Sequence, residues 1–262
     1  MSAWRLTRHI DGKLTWLLPL LLLAALIGAW QVAASTGALA DVLNVESFLV
    51  PSPAEIASSL WENRSLLAEN AWVTLREILL GFLCGLAAGL GFALLLRLSG
   101  LLRRATYPLM VASQAIPILV FAPVLVVWFG YGIGPKLAIV ALVCFFPIAV
   151  ATADGMRSVD PEATKMMRTL DASRWQMLWR VEAPTSLPFA FSGARIAVAF
   201  APIAAVFGEW AGAESGLGHL ILQDNAQLET ARVFAAATLL AVIGVALYGL
   251  LALAERRILT WR

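Results

Sequence analysis

Six stretches of about 20 mostly apolar residues recur along this chain of 262 residues, at roughly 14–34, 74–98, 105–129, 135–153, 187–212 and 234–254. Each is long enough to cross a lipid bilayer as a helix, and the fourth is the shortest. The chain is 60% hydrophobic and only 14% charged, with mean hydropathy +0.81, where soluble domains carry about one quarter charged residues. An all-α polytopic membrane protein is the fold class that this pattern predicts. The first run follows Arg5, Arg8 and Lys13 and exceeds the apolar core of about 7–15 residues in a cleaved signal. It is read as a span.

Lysine and arginine accumulate on the cytoplasmic side of membrane proteins, so the segments between the windows report orientation. With the amino terminus inside, the inner segments hold 14 of the 19 basic residues: Arg5, Arg8 and Lys13, then Arg97, Arg103 and Arg104, then Arg157, Lys165, Arg168, Arg174 and Arg180, and finally Arg256, Arg257 and Arg262. Arg64, Arg76, Lys136 and Arg232 remain outside and Arg195 falls within a span. Segment 35–72, by contrast, sets Asp41, Glu46, Glu55, Glu62 and Glu69 against Arg64. Both termini are therefore expected in the cytoplasm. Residues 1–13 form a short inner terminus, 14–262 a single transmembrane domain, and 154–186 a cytoplasmic loop. A net charge of +2 with no basic stripe gives no reason to expect nucleic acid.

Between the windows, Ser52-Pro53-Ala54-Glu55 offers a cap and a first-turn proline for a surface helix, with Ile56, Leu60, Leu66 and Leu67 as its apolar face. Pro108, Pro117 and Pro123 in the third window and Pro202 in the fifth predict bends. "FGYGIGPK" lacks the spacing and context of a nucleotide loop and reads as a tight turn. No GxxxxGK[ST], HExxH, GxSxG or Cys/His metal pattern is present, so the chain has no phosphate-binding loop with which to hydrolyse ATP itself. The windows hold few acids: Glu77 is expected to pair with its neighbour Arg76, and Glu209 to sit at an interface or along a solute path.

The loop carries its own pattern. Asp160 can cap a helix opened by Pro161 and closed near Thr169, and Asp171 or Ser173 can cap a second, Arg174 to about Val181, ended by Pro184. Trp175, Leu178 and Trp179 fall on one face of that second helix by spacing. Two exposed tryptophans beside Arg174 and Arg180 suit a protein-binding hot spot, and suit the inner leaflet equally well.

This loop resembles the signature of bacterial ABC importer permeases, Glu-Ala-Ala, three residues, Gly, nine residues, Ile-x-Leu-Pro. With Pro184 as its proline, Ala183 takes the Leu, Val181 the Ile, Asp171 the Gly and Lys165-Met166-Met167 the Glu-Ala-Ala. Starting instead at Glu162-Ala163 would require a proline at Val181. "VPSPAEI", "AWVTLREILLGF", "SQAIPILVFAPVLVVWFGYGIGPK" and "LPFAFSGARIA" extend the likeness from about Phe48 to the carboxyl terminus, and are similar to the nitrate, sulfonate and taurine branch. "FGEWAGAESGLGHLI" and "NAQLETARVFAA" look most like permeases for thiamine pyrimidine precursors or riboflavin.

The resemblance implies the six-helix type I ABC importer permease fold, in a bacterial inner membrane, with a coupling helix in the loop. It implies a second permease copy, two ABC ATPase subunits that bind ATP and Mg, and an extracytoplasmic solute-binding protein. It places Met166, Met167, Arg168, Asp171, Ala172, Ser173, Arg174 and Trp175 at the ATPase-coupling surface. Aspartate is among the few residues besides glycine that visit the left-handed region, so the turn at Asp171 is expected to persist. Ser113, Gln114, Pro117, Glu209 and Trp210 are candidates for the translocation pathway, Gln114 as a hydrogen-bonding group and Trp210 as a stacking platform. Arg195, inside the fifth window, is expected to snorkel or to bond backbone carbonyls. A stand-alone ion-coupled carrier and an intramembrane enzyme or assembly protein are the rival classes.

Overall fold

The computed structural model describes residues 12–113 and 117–260, and every regular element among them is a helix. In chain order these are α1 (Gly12–Ser35), α2 (Ala38–Leu43), α3 (Pro53–Glu62), α4 (Arg64–Leu98), α5 (Gly100–Ser113) and α6 (Ile118–Phe129). There follow α7 (Ile133–Arg157), α8 (Pro161–Thr169), α9 (Arg174–Trp210), α10 (Leu217–Ala226) and α11 (Thr230–Ile258). Of these, α1, α4, α7, α9 and α11 are long and apolar enough to cross a membrane. The third expected window is instead divided between α5 and α6. Pro117 heads α6 with an extended backbone (φ −60°, ψ 129°), so the expected bend is a break.

Contacts divide the chain into two compact units: residues 1–64 with 224–235, and 65–223 with 236–262. In the first, Ser52 and Glu55 form a reciprocal capping box with Pro53 in the first turn, as the sequence predicts. Gln31 on α1 accepts the Ala54 N–H at 2.9 Å, and Asp224 takes a two-pronged bond from Arg232 at 2.8 and 2.7 Å. The surface helix stops sooner than its apolar face suggested. Asn63 ends α3, and Leu66 and Leu67 belong to α4.

The second unit is built on close helix approach. Gly81, Gly85 and Gly89 follow one another at intervals of four along α4, where added Cβ atoms would come within 2.5 Å of Val140, 2.7 Å of Ala141 O and 3.0 Å of Ile148 on α7. Small residues at that spacing let two backbones pack directly. On α9, Ala194, Ala197, Ala201, Ala204 and Ala205 join Ile139, Val140, Cys144 and Ile148 in one buried core.

Charge pairing brings two corrections, at Glu77 and at Arg195. Glu77 and Glu209 in the expected windows, Glu182 in the loop and Glu255 just past the sixth window are all at most 7% exposed. Glu77 pairs not with Arg76 but with Lys136, at 2.6 Å, which ties α4 to α7 and draws a lysine assigned to an outer segment into the protein. Arg97 bonds Glu182 at 2.6 Å, tying α4 to α9. Arg195 meets the Glu255 carboxylate rather than backbone carbonyls, tying α9 to α11. Burying a charge is tolerable where it is paired and hydrogen-bonded, and each of these joins two helices.

Candidate functional site: the coupling loop and the Glu209 clamp

The loop begins as the sequence predicts. Asp160 accepts the Glu162 N–H at 2.8 Å, Pro161 opens α8, and α8 ends at Thr169. It then closes in a Schellman motif: Ala172 N–H bonds Met167 O at 3.0 Å and Asp171 N–H bonds Arg168 O at 3.1 Å. Asp171 occupies the left-handed position of that motif at φ 57°. The aspartate therefore takes a left-handed conformation that glycine adopts at little cost.

Ser173, not Asp171, caps the next helix, through a reciprocal capping box with Gln176. That helix does not end at Pro184. Residues Leu178–Glu182 adopt one π turn and the chain continues unbroken to Trp210. Proline lacks an N–H and crowds the carbonyl four residues back, and a wider turn absorbs both defects. The π turn also separates the expected apolar face: Trp175 and Trp179 are 57% and 64% exposed, whereas Leu178 is buried. Met166, Arg168, Asp171, Ser173, Arg174 and Trp175 are exposed, with Met167 and Ala172 half-buried between them. Seven basic or acidic side chains thus crowd a short surface from Asp160 to Arg180.

At the other end of α9, Glu209 is 1% exposed and faces neither headgroups nor water. Its carboxylate accepts the Thr74 hydroxyl at 2.6 Å and the backbone N–H groups of Gly218 and His219. Thr74 Oγ1 accepts the Leu217 N–H at 2.8 Å, and Asn70 Oδ1 accepts the Gly216 N–H at 2.7 Å. The first donors of α10 are thereby met by side chains from α4 and α9, and a carboxylate there complements the helix dipole. Gly216 lies at φ 121°, and an added Cβ would stand 2.3 Å from the Glu209 carboxyl carbon. Only glycine fits. Sequence reading missed Asn70, Thr74 and Gly216; the available signal was a helix start, "SGLGH", preceded by an acid with no near partner.

Trp210 donates from Nε1 to Gly218 O at 2.8 Å and sets its ring edge-on to Phe207, 5.5 Å between centroids. It also lines an apolar pocket of about 650 Å³ between α9 and α11, with Pro202, Ile203, Val206 and Tyr248. Pro117 is exposed at the head of α6 and is not among the residues lining that cavity. Gln114 and the side chain of Ser113 lie outside the described residues. The structure thus joins Glu209 and Trp210 to one cluster, with Glu209 inside the packing and Trp210 at a cavity.

Residues 79–260 match the family described as the binding-protein-dependent transport system inner membrane component. The chain belongs to this family. A probable ABC transporter permease of Haemophilus influenzae is 39% identical over 90% of this chain and 94% of its own length. A formylaminopyrimidine transport permease of Halalkalibacterium halodurans is 34% identical over 93% and 95%, and a riboflavin transport permease of Chloroflexus aurantiacus 36% over 82% and 81%. Aliphatic sulfonate and taurine permeases match at 29% and 28%. The fold resembles that of an inward-facing methionine ABC transporter, TM-score 0.62 at 22% identity, covering 75% of this chain and 96% of that one. This permease is therefore a multi-pass membrane subunit of an ABC importer, with the type I fold, in the nitrate, sulfonate and taurine branch.

Proposed function

We propose that this permease moves a small planar nitrogen heterocycle, a thiamine pyrimidine precursor or a close relative, into the cell by alternating access. The observation that carries the solute class is the higher identity to the formylaminopyrimidine and riboflavin permeases than to the sulfonate and taurine ones. An indole held by its N–H at the edge of an apolar pocket supports it, because a flat ring can stack on an indole. Two copies of the chain pair in the bacterial inner membrane with both termini cytoplasmic. An extracytoplasmic binding protein delivers the solute, and two separate ATPase subunits hold ATP and Mg and receive the loop from Met166 to Trp175. Hydrolysis is theirs and not this chain's.

The test is uptake into proteoliposomes holding the permease, its ATPase subunits and its binding protein. ATP-dependent uptake of labelled formylaminopyrimidine, competed by related heterocycles and reduced severalfold by Trp210→Ala, is the expected result. Uptake of taurine or an alkyl sulfonate alone would move the solute to that side of the branch. Uptake without the ATPase subunits would replace the pump by an ion-coupled carrier.

A further inference from the structure

The ion pair between Arg97 and Glu182 gives the depth at which each exposed tryptophan of the loop sits. Between Glu77 and Arg97, α4 runs 19 residues, Ile78 to Leu96, without a charged side chain. At 1.5 Å per residue that is about 28 Å of helix, close to the hydrocarbon thickness of about 30 Å. Arg97 therefore marks one edge of the hydrocarbon. Its bond to Glu182 carries that level across to α9.

Counting from Glu182 away from the membrane, and with the π turn rising less per residue than an α-helix, Trp179 lies three residues out, at most about 4 Å, and Trp175 seven residues out, at most about 10 Å. The headgroup layer on each side is about 5–7 Å thick. Trp179 thus falls inside that layer and Trp175 beyond it, although both are exposed and lie on one helix. Exposed Arg180 shares the level of Trp179. Arg103 and Arg104 follow Arg97 by six and seven residues, in the first turns of α5.

We propose that Trp179 and Arg180 form an anchoring site for an anionic phospholipid headgroup of the inner leaflet, separate from the ATPase-docking surface, which ends at Trp175. It rests on the reading of this loop as cytoplasmic and ATPase-facing. The chemistry fits the depth. An indole places an apolar ring and one N–H where hydrocarbon gives way to headgroups, and a guanidinium matches the planar, paired oxygens of a phosphate. Neighbouring arginines raise the local preference for anionic lipid. The site holds α9 at a set depth, so that an ATPase engaging the loop meets a helix that cannot sink or rise.

The permease is reconstituted in nanodiscs with and without its ATPase subunits, and the fluorescence of each tryptophan is taken as the difference from Trp175→Phe or Trp179→Phe. Lipids bearing a nitroxide near the headgroup, on phosphatidylglycerol or on phosphatidylcholine, quench from the bilayer; iodide quenches from water. The Trp179 signal is expected to be quenched by nitroxide lipid whether or not ATPase is bound. Phosphatidylglycerol should be preferred about fivefold, and Arg180→Gln should abolish that preference. Trp175 should be quenched by iodide and protected by the ATPase. Release of Trp179 from lipid quenching on ATPase binding would overturn the lipid site and assign the residue to the docking surface, and equal quenching by both lipids would overturn its anionic character. Failure of the ATPase to protect Trp175 counts against the docking reading and leaves the lipid site standing.

Discussion

Asp171 shows what a single backbone angle contributes to this loop. The left-handed conformation costs an ordinary L-residue about 1–2 kcal/mol, and Asp pays less of it than most. A β-branched side chain at φ 57° is a steric outlier. Asp171→Val should therefore shift the turn population by about 5–30-fold and lower both the recovery of ATPase subunits with the purified permease and the rate of uptake. Asp171→Gly should retain both. Full recovery with valine would mean that the docking surface does not depend on this turn. Gly216→Ala is the parallel case at the other end of α9: with φ 121° and a carboxyl carbon 2.3 Å away, it should destabilise the protein by about 2 kcal/mol or more, read as a lower unfolding midpoint in detergent. At this scale the sequence was legible where the rule is local. Asp160, Pro161, Ser52 and Ser173 were readable as caps from their immediate neighbours. Glu209 was not, because its partners Thr74 and Gly218 come together only after three helices have packed.

The helices were legible from apolar run length, and their ends were not. Pro184 in isolation marks a stop, but the π turn over Leu178–Glu182 removes the reason for one, and α9 reaches back to Arg174. Pro117, between Ile116 and Ile118, does break its window. Pairing between elements was equally hidden, since Glu77 has an arginine beside it in sequence and, beside it in space, a lysine 59 residues further along the chain. Removing one member of a buried pair leaves the other uncompensated, at a cost of about 3–5 kcal/mol. Lys136→Met should accordingly destabilise the permease strongly, and the double change Glu77→Gln with Lys136→Met should recover most of the loss. Chemical denaturation of the two variants in one detergent measures the difference. No recovery in the double variant would show that the pair orients α4 and α7 beyond neutralising charge.

For the whole molecule, the loop proposed to dock the ATPase and the apolar pocket beside Trp210 lie at opposite ends of one helix. Reversing charge at the docking end should leave ATPase activity of the assembled complex while solute uptake falls about tenfold in Arg174→Glu. Normal coupling in that variant would remove Arg174 from the docking surface. Five of the six windows were readable because bilayer thickness imposes their length, whereas the continuity of α9 depended on a proline that failed to interrupt a helix. A helix of 37 residues is about 55 Å long. Tilting such a rod by about 10° around its middle displaces each tip by about 5 Å, one helical turn. With Trp175 near one tip and Glu209 holding the start of α10 at the other, α9 has the proportions of a balance beam, and a short stroke beneath the membrane would be returned above it at nearly full amplitude and in the opposite sense.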